Sequence, residues 1–207
     1  MSSSQITAAK IAVFILALLP LSLLLLEGWN NKLGANPIET ISDTTGIWTL
    51  RFLVITLAIS PLRRLTGQTV LIRFRRMLGL FTFFYACMHF LTYIWLDQYF
   101  DWPFIIEDVI EHPYVILGFT TFLILLSLAV TSPRFMVRKM GKNWKKLHRL
   151  IYPAAFLSAT HFLWQVKSDI REPLLYFILI SVLMLLRLPS AQERMLQISA
   201  WFRSVKN

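Results

Sequence analysis

Cysteine is nearly missing from the chain: Cys87 stands alone, so no disulfide can form within it, and its place in an apolar run assigns it to packing. Acidic residues are also few, eleven against 21 lysines and arginines, for a net charge of +10. No internal sequence repeat, low-complexity tract or long linker divides the chain, so residues 1–207 read as one domain. Charge of either sign is almost absent from six blocks: Ile11–Leu26, Ile47–Leu62, Met77–Leu96, Val115–Val130, Leu150–Val166 and Leu174–Leu186.

Those six blocks carry most of the chain's 56% hydrophobic content and its mean hydropathy of +0.58, too apolar for an ordinary soluble domain. Several approach the roughly 20 residues with which a helix crosses a bilayer, and the shorter ones can borrow polar flanks. In lipid each backbone polar group must be satisfied within its own segment, which makes helices the expected form. The fold class is therefore all-α, a polytopic membrane bundle of six transmembrane helices. The first block is long for a signal peptide, contains Pro20, and runs into Glu27-Gly28-Trp29-Asn30 rather than a small-residue cleavage site, so it counts as a span.

A strongly basic chain suggests nucleic acid, but the placement of the charges argues against it. With the N-terminus taken as cytoplasmic, segments 1–10, 63–76, 131–149 and 187–207 lie inside and hold 17 of the 21 bases with one acid, Glu193. Outside lie Lys32, Lys167 and Arg171 with the other ten acids, while Arg51 falls within the second span. Positive residues collect on the cytoplasmic side of short loops, so both termini are expected inside. Nucleic acid is not expected as a partner; membrane lipid is, since both inner loops are basic enough to meet anionic headgroups. The outer loop 97–113 is acidic and aromatic and is expected to carry a short interfacial helix, and Trp48, Tyr99, Trp102, Tyr114 and Trp164 fall where an outer aromatic belt belongs.

Ionisable side chains inside a span call for a reason. His89 lies 13 residues beyond Arg76, and His161 lies 12 beyond Arg149, the last inner base before each span. At the rise of an α-helix both imidazoles stand about 18–20 Å above the inner boundary, on two parallel helices. A lone histidine at such depth most often hydrogen-bonds a neighbouring helix. Two at one depth favour a shared haem, whose iron accepts neutral imidazole on both faces and then has no open position for substrate, so that it carries electrons. No CxxCH is present for thioether attachment, and no Cys, Asp or Glu lies at that depth to complete a zinc site.

A second site is expected nearer the inside. His148 precedes His161 by 13 residues, about 20 Å along a straight helix and turned by roughly 220°, with Pro153 between them able to bend the segment. Arg75 lies 14 residues before His89 on nearly the same face. A guanidinium is a poor iron ligand and suits a haem propionate or a flavin phosphate better. His112, in the acidic loop, is assigned to the surface. Arg51 lies near the outer end of its span, placed to snorkel or to pair with a propionate.

The stretches LGANP (33–37), TGIWTLRFLVITLAISPLRRL (45–65), VLIRFRRMLGL (70–80), MHFLTY (88–93), RKMGKNWKKLHRLIY (138–152) and THFLWQVKSD (160–169) resemble the MsrQ (YedZ) family, within the ferric-reductase-like transmembrane group. The resemblance covers essentially all six spans. It implies haem b with His89 and His161 as iron ligands, and His148 as an additional family histidine for a possible second metal site. It also implies FMN, with Arg75, Arg76, Trp144 or Lys145 near its phosphate or ring. Where the wider group carries a second histidine in span three, this chain has Arg75.

The expected function, by that resemblance, is a b-type cytochrome subunit of the bacterial inner membrane. It takes electrons from the quinone pool or a cytosolic flavin reductase. It passes them to a periplasmic molybdenum-containing methionine-sulfoxide reductase subunit, for repair of oxidised periplasmic proteins. Sulfoxide chemistry then belongs to the partner, and no catalytic residue is assigned here; loop 97–113 is the natural docking surface. A stand-alone ferric or quinone reductase is the enzyme alternative, disfavoured because the tail after span six is too short for an NADPH-binding domain. A non-redox transporter or scaffold is the remaining alternative, disfavoured because only Arg51 and two histidines are ionisable within the spans.

Overall fold

The computed structural model describes residues 2–205, with side chains through Gln197. Among the described residues ten α-helices follow one another: α1 (Ser3–Trp29), α2 (Pro37–Thr66), α3 (Arg75–Leu91), α4 (Trp102–Glu111), α5 (Pro113–Val130), α6 (Arg134–Met140), α7 (Lys142–His148), α8 (Ile151–Gln165), α9 (Arg171–Leu185) and α10 (Pro189–Val205). A π-helical turn, Thr92–Asp97, prolongs α3. No strand occurs among the described residues.

All six apolar blocks are helical. Four helices are long and apolar enough to cross a membrane: α1, α2, α3 with its π-helical extension, and α5. The count reaches five when α9 and α10, bent by 79°, are taken as one broken span. The fifteen residues of α8 rise about 22 Å, short of a hydrocarbon core of about 30 Å. Large apolar side chains face outward along the bundle, among them Ile15, Leu25, Ile116 and Ile178. In water such a surface would be a liability; against lipid it is the expected one. The chain is an integral membrane protein.

Local sequence explains where the helices begin and end. Asn36 caps α2 by accepting the Glu39 N–H, and Pro37 takes the first helical position, where a missing N–H costs nothing. That start lies well before the first apolar residues of the block, so only residues 30–36 separate α1 from α2. Gly67 closes α2 in the left-handed conformation at φ 71°, its N–H bonding the Arg63 carbonyl. The interfacial helix expected in loop 97–113 is α4, capped by Asp101. Two short helices, α6 and α7, occupy the basic stretch read from sequence as a loop.

Helix α2 runs through the centre. On one side Leu50, Leu53 and Leu57 pack on Ala155 and Ala159 of α8 and on Tyr176 and Ile180 of α9. On the other, Phe52 and Ile59 meet Ala17 of α1 and Leu78, Phe81 and Tyr85 of α3. Small residues on α8 (Ala154, Ala155, Ser158, Ala159), all buried, let its backbone approach α2 and α5 closely, as membrane interfaces require. The most extensive pairings are α2 with α3 and α5 with α8.

Two intrahelical prolines are matched by side chains from elsewhere. Pro61 has no N–H for the Leu57 carbonyl one turn earlier, and the Arg187 guanidinium donates to that carbonyl at 2.7 Å. Beside Pro20, the Tyr85 hydroxyl enters the α1 ladder: it accepts from the Leu21 N–H at 3.3 Å and donates to the Ala17 carbonyl at 2.8 Å. Unsatisfied groups of this kind are costly in a membrane interior, so each contact fixes one helix against another.

Candidate metal centre

His89 lies near the end of α3 and His161 near the end of α8. Their ring centres are 6.3 Å apart and their planes cross at 78°. The His89 Nδ1 bonds the Ser42 carbonyl of α2 at 2.9 Å, with the Ser42 hydroxyl at 3.5 Å. The His161 Nδ1 bonds the Tyr114 carbonyl of α5 at 2.7 Å. A carbonyl only accepts, so Nδ1 carries the proton in both rings and the lone pair sits on Nε2. Orientation by a backbone carbonyl is the usual support for a metal-binding imidazole.

The support is built the same way twice. Each carbonyl lies 47 residues before its histidine, and one helical turn beyond each carbonyl stands a glycine, Gly46 on α2 and Gly118 on α5. A Cβ on Gly46 would lie 3.2 Å from Nδ1 and Cε1 of His89. A Cβ on Gly118 would lie 2.9 Å from Cε1 and 3.0 Å from Nδ1 of His161. Hydrogen removes the obstacle, so each ring lies directly on the facing helix. The sequence has no overt repeat, yet α2 with α3 and α5 with α8 form matching half-sites, one imidazole in each.

Metal ligation sets a distance for such a pair. A metal–imidazole bond of about 2 Å, with each ring centre about 1 Å beyond its nitrogen, puts two rings on opposite sides of one ion about 6 Å apart. The observed 6.3 Å agrees. No group of three or more His, Cys, Asp or Glu able to hold a metal occurs among the described residues. Two imidazoles therefore lie side by side with no third such group, a set suited to an ion whose remaining ligands come from a macrocycle. Helices α3 and α5 also meet through aromatic rings: Phe90 stacks on Phe122 at 4.3 Å between centres.

The other candidate residues lie elsewhere. His148 ends α7, before the break at Arg149–Leu150, so it and His161 do not share one helix and the bend expected at Pro153 does not set their relation. Its Nε2 meets the Thr131 hydroxyl at 3.1 Å, and its ring stacks on Trp144, centres 4.0 Å apart. The Trp144 indole N–H donates to the Thr131 carbonyl at 2.9 Å. Burial first, and the charge of Arg75 second, hold His148 below the usual imidazole range, toward the neutral form that binds metals. Arg75 lines a cavity at the basic end of the bundle with Arg63, Arg64 and Arg187. At the acidic end, Arg51 lies 4.7 Å over the Trp48 ring, donates to the Tyr176 hydroxyl at 3.1 Å, and lines a cavity of about 420 Å³. His112 pairs with Asp108, which also accepts from the Tyr93 hydroxyl. Neither cavity includes His89 or His161 among its lining residues.

Sequence reasoning missed Ser42, Gly46, Tyr114 and Gly118. Two act through main-chain carbonyls and two through a missing side chain; the equal spacing to the histidines was the available signal.

A membrane helical bundle with two neighbouring, carbonyl-oriented imidazoles is the class that fold and site define, and comparison with known sequences gives the family. The family described as "Ferric reductase like transmembrane component" matches residues 45–159. The chain is 50% identical over 188 residues to the "Protein-methionine-sulfoxide reductase heme-binding subunit MsrQ" of Xanthomonas campestris pv. campestris (strain B100), covering 88% of this chain and 86% of that one. It is 48% identical over 189 residues to the protein of the same description from Herminiimonas arsenicoxydans, covering 90% and 87%. The chain belongs to the MsrQ family of ferric-reductase-like transmembrane proteins.

Proposed function

We propose that this protein is the haem b-binding membrane subunit of a methionine-sulfoxide reductase system, with His89 and His161 as the residues that would hold the iron. The observation that carries the reading is the pair of carbonyl-oriented imidazoles, 6.3 Å between ring centres, on helices of separate packed pairs. The names of the relatives supply haem and the sulfoxide reductase partner. Bound there, a haem would be held by His89 and His161 and would supply a one-electron redox couple.

The chain's own part is to orient and enclose. The Ser42 and Tyr114 carbonyls fix the tautomer and tilt of the rings, raise the basicity of Nε2, and so favour the oxidised metal. Phe90 packs on Phe119 and Phe122, an apolar contact between the helix of His89 and the helix that supports His161. In this reading six spans cross the bacterial inner membrane with both termini cytoplasmic, on the strength of the charge asymmetry. Electrons enter from the quinone pool or a cytosolic flavin reductase. They leave at the acidic end to a periplasmic molybdenum-containing catalytic subunit, which performs the sulfoxide chemistry. Helix α4 and its acidic neighbours form the docking face. FMN and a second metal site, if carried, belong at the basic end, where His148, Arg75, Arg76, Trp144 and Lys145 lie. The neutral bias on His148 suits a ligand, and Arg75 suits a phosphate or propionate.

Absorbance of the purified protein tests this reading. A Soret band that shifts on dithionite reduction is expected, and His161→Ala should remove most of it. Full haem stoichiometry in that variant would exclude His161 as a ligand, and a colourless preparation from haem-replete cells would refute the function.

A further inference from the structure

We propose that the cavity at the basic end of the bundle binds the phosphate of an anionic phospholipid or of a free phosphate compound. It measures about 530 Å³ and is lined by Arg63 and Arg64 of α2, Arg75 of α3 and Arg187 between α9 and α10. No carboxylate lines it, and none of the four arginines takes part in a salt bridge among the described residues. Glu193, the one acid at this end, is exposed.

Four guanidiniums around one cavity repel one another, and the cost grows as the apolar surroundings lower the local dielectric. The chain holds them there nonetheless. Arg187 is clamped by its bond to the Leu57 carbonyl, by a second bond to the Tyr152 hydroxyl at 3.2 Å, and by lying 4.9 Å over the Tyr152 ring. Its Nε is buried without a partner. The Tyr152 oxygen accepts from Arg187, which leaves the phenolic proton to donate. Arg64 and Arg75 make no hydrogen bond of their own among the described residues, so their forked donors are available. Planar N–H forks of this kind match phosphate oxygens in pairs. Ile72, Phe156 and Leu188 complete the wall and are open to the surroundings of the bundle, so a ligand with apolar tails fits beside its charged head. That favours a lipid headgroup as the source. The site is separate from the histidine pair and does not depend on its occupancy.

Native mass spectrometry of the full-length, detergent-purified protein tests the assignment, with phosphatidylglycerol, phosphatidylcholine and inorganic pyrophosphate added separately. Phosphatidylglycerol should bind more tightly than phosphatidylcholine. Arg64→Gln and Arg75→Gln, which break no hydrogen bond present in the structure, should each weaken it about tenfold, the loss of one charge-assisted contact. Arg138→Gln, a basic-end control on α6 outside the cavity, should leave it unchanged. Pyrophosphate binding that is sensitive to Arg64 and Arg75, without lipid selectivity, would place the source in solution and keep the site. Binding of both probes that is indifferent to Arg64 and Arg75, or equally weakened by Arg138→Gln, would overturn it. The thermal melting curve of each variant reports folding without reference to haem, which separates this result from failure of the haem assignment.

Discussion

Three helical glycines form a graded test of the metal centre. Replacing glycine by alanine inside a helix ordinarily stabilises it by up to about 1 kcal/mol, so a loss must come from what the new methyl meets. At Gly79 the nearest atom is the Thr56 Cγ2 at 3.7 Å, ordinary contact, and Gly79→Ala should leave haem content unchanged. At Gly46 the nearest atoms of His89 are at 3.2 Å, and at Gly118 the Cε1 of His161 is at 2.9 Å. Restoring a contact of about 3.4 Å pushes the His89 ring back by about 0.2 Å and the His161 ring by about 0.5 Å. Metal–ligand distances tolerate about 0.2 Å. Gly46→Ala should therefore sit at the edge of tolerance, and Gly118→Ala should exceed it while stretching the 2.7 Å bond to the Tyr114 carbonyl. Disturbing a support of this kind costs about 10–100-fold in affinity. Haem per polypeptide, measured as the pyridine haemochrome, with a redox titration of whatever remains bound, should rank the variants Gly79, Gly46, Gly118 in increasing damage. Gly118→Ala with full haem, unchanged spectrum and unchanged midpoint potential would refute the idea that the ring's placement against α5 matters.

Arg187→Met should lower thermal stability by about 1–3 kcal/mol by leaving the Leu57 carbonyl unpaired, and Pro61→Ala in the same chain should recover much of it by restoring the helical N–H; melting of single and double variants checks both. Tyr85→Phe should cost about 1–3 kcal/mol, because one hydroxyl answers two backbone groups of α1, and protease cleavage of α1 should rise with it.

Much of the architecture was legible because helix rise and lipid solvation are regular. All six apolar blocks are helices, and counting residues from Arg76 and Arg149 placed His89 and His161 at one level, where the structure sets their rings side by side. Boundaries were harder. The first turns of α2, ETISDTTG, are polar, so hydropathy does not mark them although Asn36 and Pro37 do. Helices α6 and α7 lie in a stretch whose charge hid its helical content. The Ser42 and Tyr114 carbonyls have no side-chain signature at all. Arg187 read as one more inner base, since its partner Leu57 is 130 residues away in sequence and only the folded chain brings them together.

The doubled construction of the centre bears on assembly. Each imidazole is held by the helix with which its own is most extensively paired, α3 by α2 and α8 by α5, and the rings meet across the seam between the pairs. A group held by both rings would fasten that seam at a second place, since Leu50, Leu53 and Leu57 already join α2 to α8 and α9. If that group is iron porphyrin, a cell starved of it would accumulate a protein already folded around its core and lacking only this second tie, with the end that carries the two rings the most open to attack.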